Sequence, residues 1–584
     1  MEKYPIEVVR HSMAHLMAAA VQSLYPGVKF GMGPAIDSGF YYDFDFSAAG
    51  VSLAPADLKA IETKMKKLIG SGAKFERKEV AIAEAKDIFA GQCFKLEIVK
   101  DLEMEGADNV TVYSNGDFTD LCKGPHVDSM KDLPADGFKL NKIAGAYWKG
   151  SEKNQMLTRV YAAAFANKSE LDEYLKNQEE AEKRDHRKVG KEMGLFVFSE
   201  LVGPGLPLYT FKGAAVRQAI IDYSNELQKK IGYENVCTPN MNKADLFKVS
   251  GHYDKYRDDM FRVVSNYTKD EYYLKPMNCP QHTQIYASEI RSYKDLPIRI
   301  ADFANLYRDE KPGELSGLTR VRAFCQDDGH CFCREDQIKG EFGAVLSIIN
   351  EALETYGMKY FVRLSLWDPE HQEKYLGEPS VWEKSQAILK EILEYSKIEY
   401  KIGVGEAAIY GPKMDIMTKD SLGREWQIST IQLDFIMPQR FGLSYIDQEG
   451  KEKTPVMIHR AIVGSPERFM GILIEHYAGA FPVWLSPVQA KILSVGENHV
   501  EFCRKLGDEL KAAGIRVEID AANETLGNKI RKAAGEKIPY VLVVGDKEME
   551  SEMMAVRDRG GKVARQISKV DFIAEICAKI KQRN

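Results

Sequence analysis

Several absences narrow what this chain can be. Its 584 residues hold no apolar run of the roughly 18 residues a membrane helix needs, so no span is expected. Met1-Glu2-Lys3-Tyr4-Pro5 has no apolar signal core, which predicts no export and a cytoplasmic protein. No G-x-x-x-x-G-K-[ST] segment occurs, so nucleotide chemistry here would run without a P-loop. A basic excess is missing too: the net charge is −6, with no general nucleic-acid signature. The nine cysteines are odd in number and scattered, which argues against a disulfide framework and for metal or structural thiols in a reducing compartment. No internal repeat or low-complexity tract is visible.

What is present is a globular composition, 44% hydrophobic and 28% charged, at a length that predicts three or four domains. Residues 1–165 mix short helices and strands. Residues 166–195 read as a linker. Within it Ser169–Lys188 has an N-cap serine, strong helix formers and few apolar positions, and predicts an exposed helix. Residues 196–485 form a large central piece with strand-like runs at Tyr272–Lys275, Ile298–Ala301 and Trp426–Phe435. The last alternates polar and apolar residues, as an antiparallel strand with one face on a cavity does. From 486 to 584, strand runs at Lys491–Val495, Ile515–Ile519 and Tyr540–Val544 alternate with helical stretches, which predicts a small α/β domain. This last piece holds 18 Lys and Arg against 15 Asp and Glu, a weak basic bias in an acidic protein.

Two segments of the central piece carry chemistry. One runs Tyr307-Arg308-Asp309-Glu310, then Arg320 to Phe324, then Asp327-Asp328-Gly329-His330. The other is His459-Arg460-Ala461-Ile462-Val463-Gly464-Ser465-Pro466-Glu467-Arg468-Phe469. Arginine carries a permanent planar charge suited to phosphate oxygens, so Arg308 and Arg468 could clamp a triphosphate between them. Cys279, in Met277-Asn278-Cys279-Pro280, could join His330 and His459 as three zinc ligands with a fourth position open, the pattern of a catalytic metal. Spacing alone leaves Cys325, Cys331 and Cys333 as competing ligands.

The Arg308–His330 and His459–Phe469 segments resemble motifs 2 and 3 of class II aminoacyl-tRNA synthetases, and Gly213–Pro239 resembles motif 1. Met277–Pro280, Tyr410-Gly411-Pro412-Lys413 and Ile428–Phe435 resemble the threonyl-tRNA synthetase family of bacterial type. The resemblance runs over essentially the whole chain. It implies a multidomain protein: an α+β editing domain, an antiparallel class II core and a C-terminal α/β anticodon-binding domain. It implies activation of L-threonine with ATP and Mg²⁺, transfer to tRNA(Thr), and a homodimer. Arg308 would hold the α-phosphate, Glu310 the adenine amino group and Phe324 the base. Arg320 and Arg468 would hold the γ-phosphate end. Cys279, His330 and His459 would bind one Zn²⁺. Asp328, Tyr410, Lys413, Gln427, Thr430 and Gln432 would contact threonine or its adenylate. His252 matches a family histidine near the terminal ribose, with a role in acyl transfer. Gln281 stands where the family usually has glycine, and Pro466 where methionine is common; proline suits the first turn of a helix.

The N-terminal piece holds His11-x3-His15, two imidazoles on one helix face, and Asp120-Leu121-Cys122-Lys123-Gly124-Pro125-His126. Ligand chemistry alone reads a second zinc site. The resemblance implies instead an editing pocket of His11, His15, Lys95, Asp120, Cys122 and His126, hydrolysing seryl-tRNA with side chains and water. An imidazole near its ordinary pKa of about 6.5 would position or deprotonate that water. Family members often carry a ubiquitin-like domain ahead of this region, and the resemblance includes no counterpart of it. In the last piece, Asn523 and Arg557 match anticodon contacts. A silent paralogue and a stand-alone deacylase are the competing readings; the intact arginines and zinc triad argue against the first, the complete central piece against the second.

Overall fold

A computed structural model describes residues 3–420, 423–561 and 563–584. The chain divides into two compact units, one ending at Glu179 and the other beginning at Glu180.

In the first unit the helix Ile6–Leu24 is free of glycine and proline and rich in alanine, and most of it from Ser12 to Val21 is buried. It stops before Tyr25-Pro26-Gly27, where Gly27 takes φ +92°, open to glycine at no steric cost. Its buried side packs on the strand Gly39–Asp45 and on the amphipathic helix Leu58–Ser71. A second sheet, Phe75–Ala81, Asn109–Asn115 and Phe118–Leu121, lies beside the first and feeds the Cys122–His126 loop.

The second unit is built on an eight-stranded sheet. Its order is Glu234–Asn235, Ile298–Tyr307, Ala323–Cys333, Val456–Ala461, Glu425–Asp434, Lys413–Lys419, Tyr360–Leu366 and Tyr400–Val404. The six inner strands are antiparallel to one another, and the two edge strands pair parallel. Helices Phe211–Lys230, Ile338–Thr355 and Pro466–His476 contribute Val216, Ile220, Val345, Ile349, Met470 and Leu473 to one core with Ile431 and Ile458 of the sheet. Each such fully buried side chain contributes about 1.5–3 kcal/mol. After residue 486 a second sheet places Ala490–Ser494 parallel to Val517–Asp520 and Tyr540–Val544, and then adds two antiparallel strands, Met553–Asp558 and Arg565–Ser568. The architecture is multidomain, α+β with α/β.

Two sequence expectations change. The linker helix runs Lys168–Arg184, so Ser169 lies in its first turn; Asn167 Oδ1 takes the capping role, accepting from the Glu170 N–H at 3.0 Å. The helix then breaks at Asp185, whose carboxylate accepts from Arg187 N–H at 2.8 Å and starts a second helix, His186–Glu192. Asp competes for backbone donors and so favours helix starts over interiors. The Trp426–Phe435 run is a strand over Glu425–Asp434, but it does not alternate simply. Ile416 pairs with Ser429 and Met417 with Gln427, leaving Ile428 as a bulge. The bulge puts Gln427 on the face of Thr430, which plain alternation would forbid.

Candidate active site

The sheet register assembles the central site. His330 pairs directly with His459, His459 with Gln432, and Gln432 with Lys413, so four residues from distant segments stand in one row. Cross-strand partners share a face with side chains about 4.5–5.5 Å apart. Cys279 joins from the first turn of the helix Cys279–Ala287. The ligand atoms of Cys279, His330 and His459 lie within 4.8 Å of one another, all buried. His330 Nε2 is 2.9 Å from His459 Nδ1. Burial pushes the Cys279 thiol well up and the His330 imidazole well down, so both are neutral in the protein as it stands. Alternation removes the competing cysteines: Gln326, Asp328 and His330 face this pocket, while Cys331 and Cys333 sit in the core on the other side of the strand.

Two residues that sequence reasoning missed stand behind the triad. Asp434 Oδ2 is 2.9 Å from His459 Nε2, and His282 Nδ1 is 2.7 Å from His330 Nδ1. A partner on the nitrogen that faces away from a metal fixes the orientation of a ligating imidazole. His282 follows Cys279 by three residues on one helix, a spacing that could have signalled it. The Gln281 amide donates to Pro239 C=O at 2.8 Å and to Asn242 Oδ1 at 2.7 Å.

The triad, Asp328, Tyr410, Thr430, Gln432 and Arg308 line a small cavity of about 100 Å³. Arg308, Gln326 and Thr430 also line its neighbour, a cavity of about 320 Å³ that holds Glu310, Arg320, Phe324, Lys413, Gln427 and Arg468. The two cavities therefore meet at Arg308. Its guanidinium lies 5.2 Å from the Phe324 ring centroid. Arg468 Nε donates to Thr319 C=O at 3.0 Å, which aims its guanidinium from the opposite wall. Ser465 caps the helix carrying it, and Pro466 opens its first turn as expected. Arg320 Nε donates to Glu310 Oε2 at 2.9 Å. Gln427 Nε2 and Thr430 Oγ1 both donate to Asp415 Oδ1, at 2.8 and 2.9 Å, and Lys413 Nζ lies 3.2 Å from Asp415 Oδ2. Burial raises the Asp328 carboxyl to about 7. His252 is placed differently: it is fully buried, with Nδ1 at 2.8 Å from Ser250 Oγ and Nε2 at 2.9 Å from Met277 Sδ, and lines neither cavity. Desolvation lowers its pKa to about 3.

In the first unit the six expected editing residues converge. All but His126 line a cavity of about 630 Å³, and His126 closes it from behind: its ring lies 4.5 Å from that of His11 and 4.3 Å from that of His15. Cys122 Sγ is 2.9 Å from His11 Nε2 and 3.3 Å from His126 Nε2. Asp120 pairs with Lys95 and accepts from Tyr42 O–H at 2.6 Å, and His15 Nε2 lies 3.7 Å from it. His15 Nδ1 is buried without a partner. A side chain at Gly124 would meet the Tyr113 hydroxyl at 2.4 Å, and the Gly124 N–H donates to Cys122 Sγ at 3.2 Å. The histidines do not sit near their ordinary pKa. Desolvation lowers His11, lowers His15 strongly, brings His126 to about 2 and raises Cys122 to about 11. The cluster is neutral, offering lone pairs rather than titrating. The ligand atoms of His11, His15, Cys122 and His126 also fall within 4.8 Å of one another, a geometry that would fit a metal ion.

In the C-terminal sheet Arg557 lies on Met553–Asp558, and Asn523 is exposed in the turn after Val517–Asp520, with two strands between theirs.

Comparison with known proteins shows what the chain as a whole is similar to. Threonine–tRNA ligase of Thermotoga neapolitana is 45% identical over 583 residues, 99% of this chain and 88% of the relative. The chain belongs to the threonine–tRNA ligase family. The enzyme of that name from Rubrobacter xylanophilus is 46% identical, covering 99% of this chain and 89% of its own. The class II tRNA synthetase core domain of glycine, histidine, proline, serine and threonine enzymes matches residues 261–477. The anticodon-binding domain matches 489–579, and the second additional domain of threonyl and alanyl tRNA synthetases matches 110–161. A solved RNA-binding domain of threonyl-tRNA synthetase from Cryptosporidium parvum aligns with TM-score 0.64 at 37% identity, over 68% of this chain and 98% of that one. Prolyl-tRNA synthetase of Giardia lamblia shares the fold, with TM-score 0.53 at 16% identity over 70% of this chain and 81% of its own.

Proposed function

We propose that the chain activates L-threonine with ATP to threonyl-adenylate, transfers it to tRNA(Thr), and hydrolyses seryl-tRNA(Thr) at the first unit. The observation that carries this reading is the meeting of a phosphate-sized and an amino-acid-sized cavity at Arg308. ATP, carrying its Mg²⁺, lies in the larger cavity with its base against Phe324 and its triphosphate between Arg308, Arg320 and Arg468. The threonine carboxylate attacks the α-phosphorus, pyrophosphate leaves, and Arg308 stabilises the charge that builds on the α-phosphate oxygens. Glu310 takes the adenine amino group. Gln427, Thr430, Gln432, Tyr410, Lys413 and Asp328 hold the amino acid and adenylate.

Cys279, His330 and His459 fit Zn²⁺: a thiol and two imidazoles, with Asp434 and His282 oriented on the rings. When bound, zinc supplies a Lewis-acid position for an amino group and a hydroxyl, which valine lacks. Serine keeps that hydroxyl. A missing methyl is worth about 1–3 kcal/mol, too little for translation, and a hydrolytic second site supplies the remainder. In that site Asp120, fixed by Lys95 and Tyr42, and the neutral His11, His15 and His126 hold water against the ester; Cys122 closes the pocket. A homodimer through the motif 1 helix and a role for His252 in acyl transfer, through the buried wall behind Met277, complete the reading. Asn523 and Arg557 contact the anticodon.

Aminoacylation of tRNA(Thr) by the purified protein tests the proposal. Threonyl-tRNA should accumulate and seryl-tRNA should not. Failure to charge threonine would refute it.

A further inference from the structure

His186 opens the short helix that follows the linker helix Lys168–Arg184, far from both cavities in sequence, and no part of the mechanism above uses it. It is 3% exposed. Nδ1 lies 2.7 Å from Glu475 Oε1, and Leu318 N–H donates to Nε2 at 3.0 Å. A backbone donor on Nε2 and a carboxylate on Nδ1 admit one arrangement: Nδ1 carries the proton and Nε2 presents its lone pair. One neighbour lines the larger cavity, and the other shares a helix with a residue that does. Leu318 and Thr319 line the larger cavity, and Thr319 C=O holds Arg468 Nε at 3.0 Å. Glu475 lies on Pro466–His476, the helix that also carries Arg468. The loop is shaped for this contact: Gly317 takes φ +48°, and a Cβ there would meet His186 Nε2 at 2.1 Å.

We infer that His186 is a positioning residue for ATP, tying the motif 2 loop to the motif 3 helix so that Thr319 C=O aims Arg468 at the triphosphate. The inference rests on the synthetase reading above. It ties grip on ATP to the short helix directly after the linker helix. The amino-acid pocket, with its own row of residues across the sheet, stays outside this tie.

The test compares His186→Gln, His186→Asn and Gly317→Ala in pyrophosphate exchange, with melting temperatures alongside. The backbone N–H of residue 186 also donates to Glu475 Oε1 at 3.3 Å, so the helix end of the tie survives in either variant. Glutamine can place its carbonyl oxygen near Nε2 and accept from Leu318 N–H, whereas asparagine mimics the Nδ1 side and loses the loop bond. Gly317→Ala attacks the same bond from the loop. The KM for ATP should rise about three- to tenfold in His186→Asn and Gly317→Ala, the loss of one neutral hydrogen bond. It should stay near the unaltered value in His186→Gln, and the KM for threonine should hold in all three. Parallel rises in both KM values, or equal behaviour of the glutamine and asparagine variants, would overturn the inference. Exchange by the unaltered protein with threonine separately checks the reading beneath it.

Discussion

Asp434 Oδ2 sits 2.9 Å from Nε2 of His459, on the side of the ring opposite the nitrogen that faces His330. The same carboxylate, through Oδ1, accepts from Ile436 N–H at 2.7 Å and Met437 N–H at 2.8 Å, so it is itself fixed. It leaves the His459 Nδ1 lone pair directed at the triad. Asp434→Asn should therefore lower zinc affinity by about 10- to 100-fold. Competition with a chromophoric chelator measures it, and unchanged affinity would remove Asp434 from the metal's support.

Arg308 borders both cavities and is the group best placed for charge developing on the α-phosphate. Arg308→Ala should reduce threonine-dependent pyrophosphate exchange by about 100- to 1,000-fold, the range for losing one preorganised donor to a transition-state oxyanion. A loss confined to the KM for ATP would mean that Arg308 only binds.

The editing cluster and the ATP site lie in separate compact units. Cys122→Ala should leave threonine charging within about twofold while seryl-tRNA accumulates, because Cys122 contacts His11 and His126 within the first unit. Single-turnover deacylation of seryl-tRNA is the readout. Undiminished deacylation would mean that the cysteine is dispensable.

The buried histidines predict an acid-sensitive first unit. Desolvation holds His11, His15 and His126 below the ordinary imidazole value, His126 at about 2. Above a pH of about 6.5 folded and unfolded chains are both neutral at these sites and no difference arises. Below it the unfolded chain takes up protons that the folded cluster refuses, so stability falls as pH falls, from about 6.5 down toward the folded values. The melting temperature should drop between pH 7.5 and 5.5, and His126→Asn should flatten that drop. A slope indifferent to His126 would assign acid sensitivity elsewhere.

The chemistry-bearing residues were legible because their types and order repeat a family pattern. Arg308 and Arg468 do border one cavity, and the Cys279, His330 and His459 ligand atoms do converge, because residue type and order record that chemistry. Residues whose role depends on packing were not legible. The Ile428 bulge that turns Gln427 toward Thr430 has no glycine or proline to announce it. His252 was named only through its match to a family histidine, and its enclosure by Met277 and Ser250 is a matter of packing that no motif shows. Imidazole pKa values depend on desolvation, which no spacing shows, so the titrating histidines expected in the editing pocket became neutral ones. His186 carries no motif, and Asp434 lies inside a family motif without anything to mark it as a partner of His459. The competing cysteines stayed open in the sequence for the same reason: only the strand Ala323–Cys333 puts His330 on one face and Cys331 and Cys333 on the other.

Pyrophosphate exchange on zinc-loaded protein, with threonine, serine and valine in parallel, tests the central claim most directly. The account predicts strong exchange with threonine, weaker exchange with serine and nearly none with valine. Exchange with valine comparable to threonine would contradict selection by a hydroxyl at the Cys279–His330–His459 site, and no exchange with any of the three would contradict the synthetase itself.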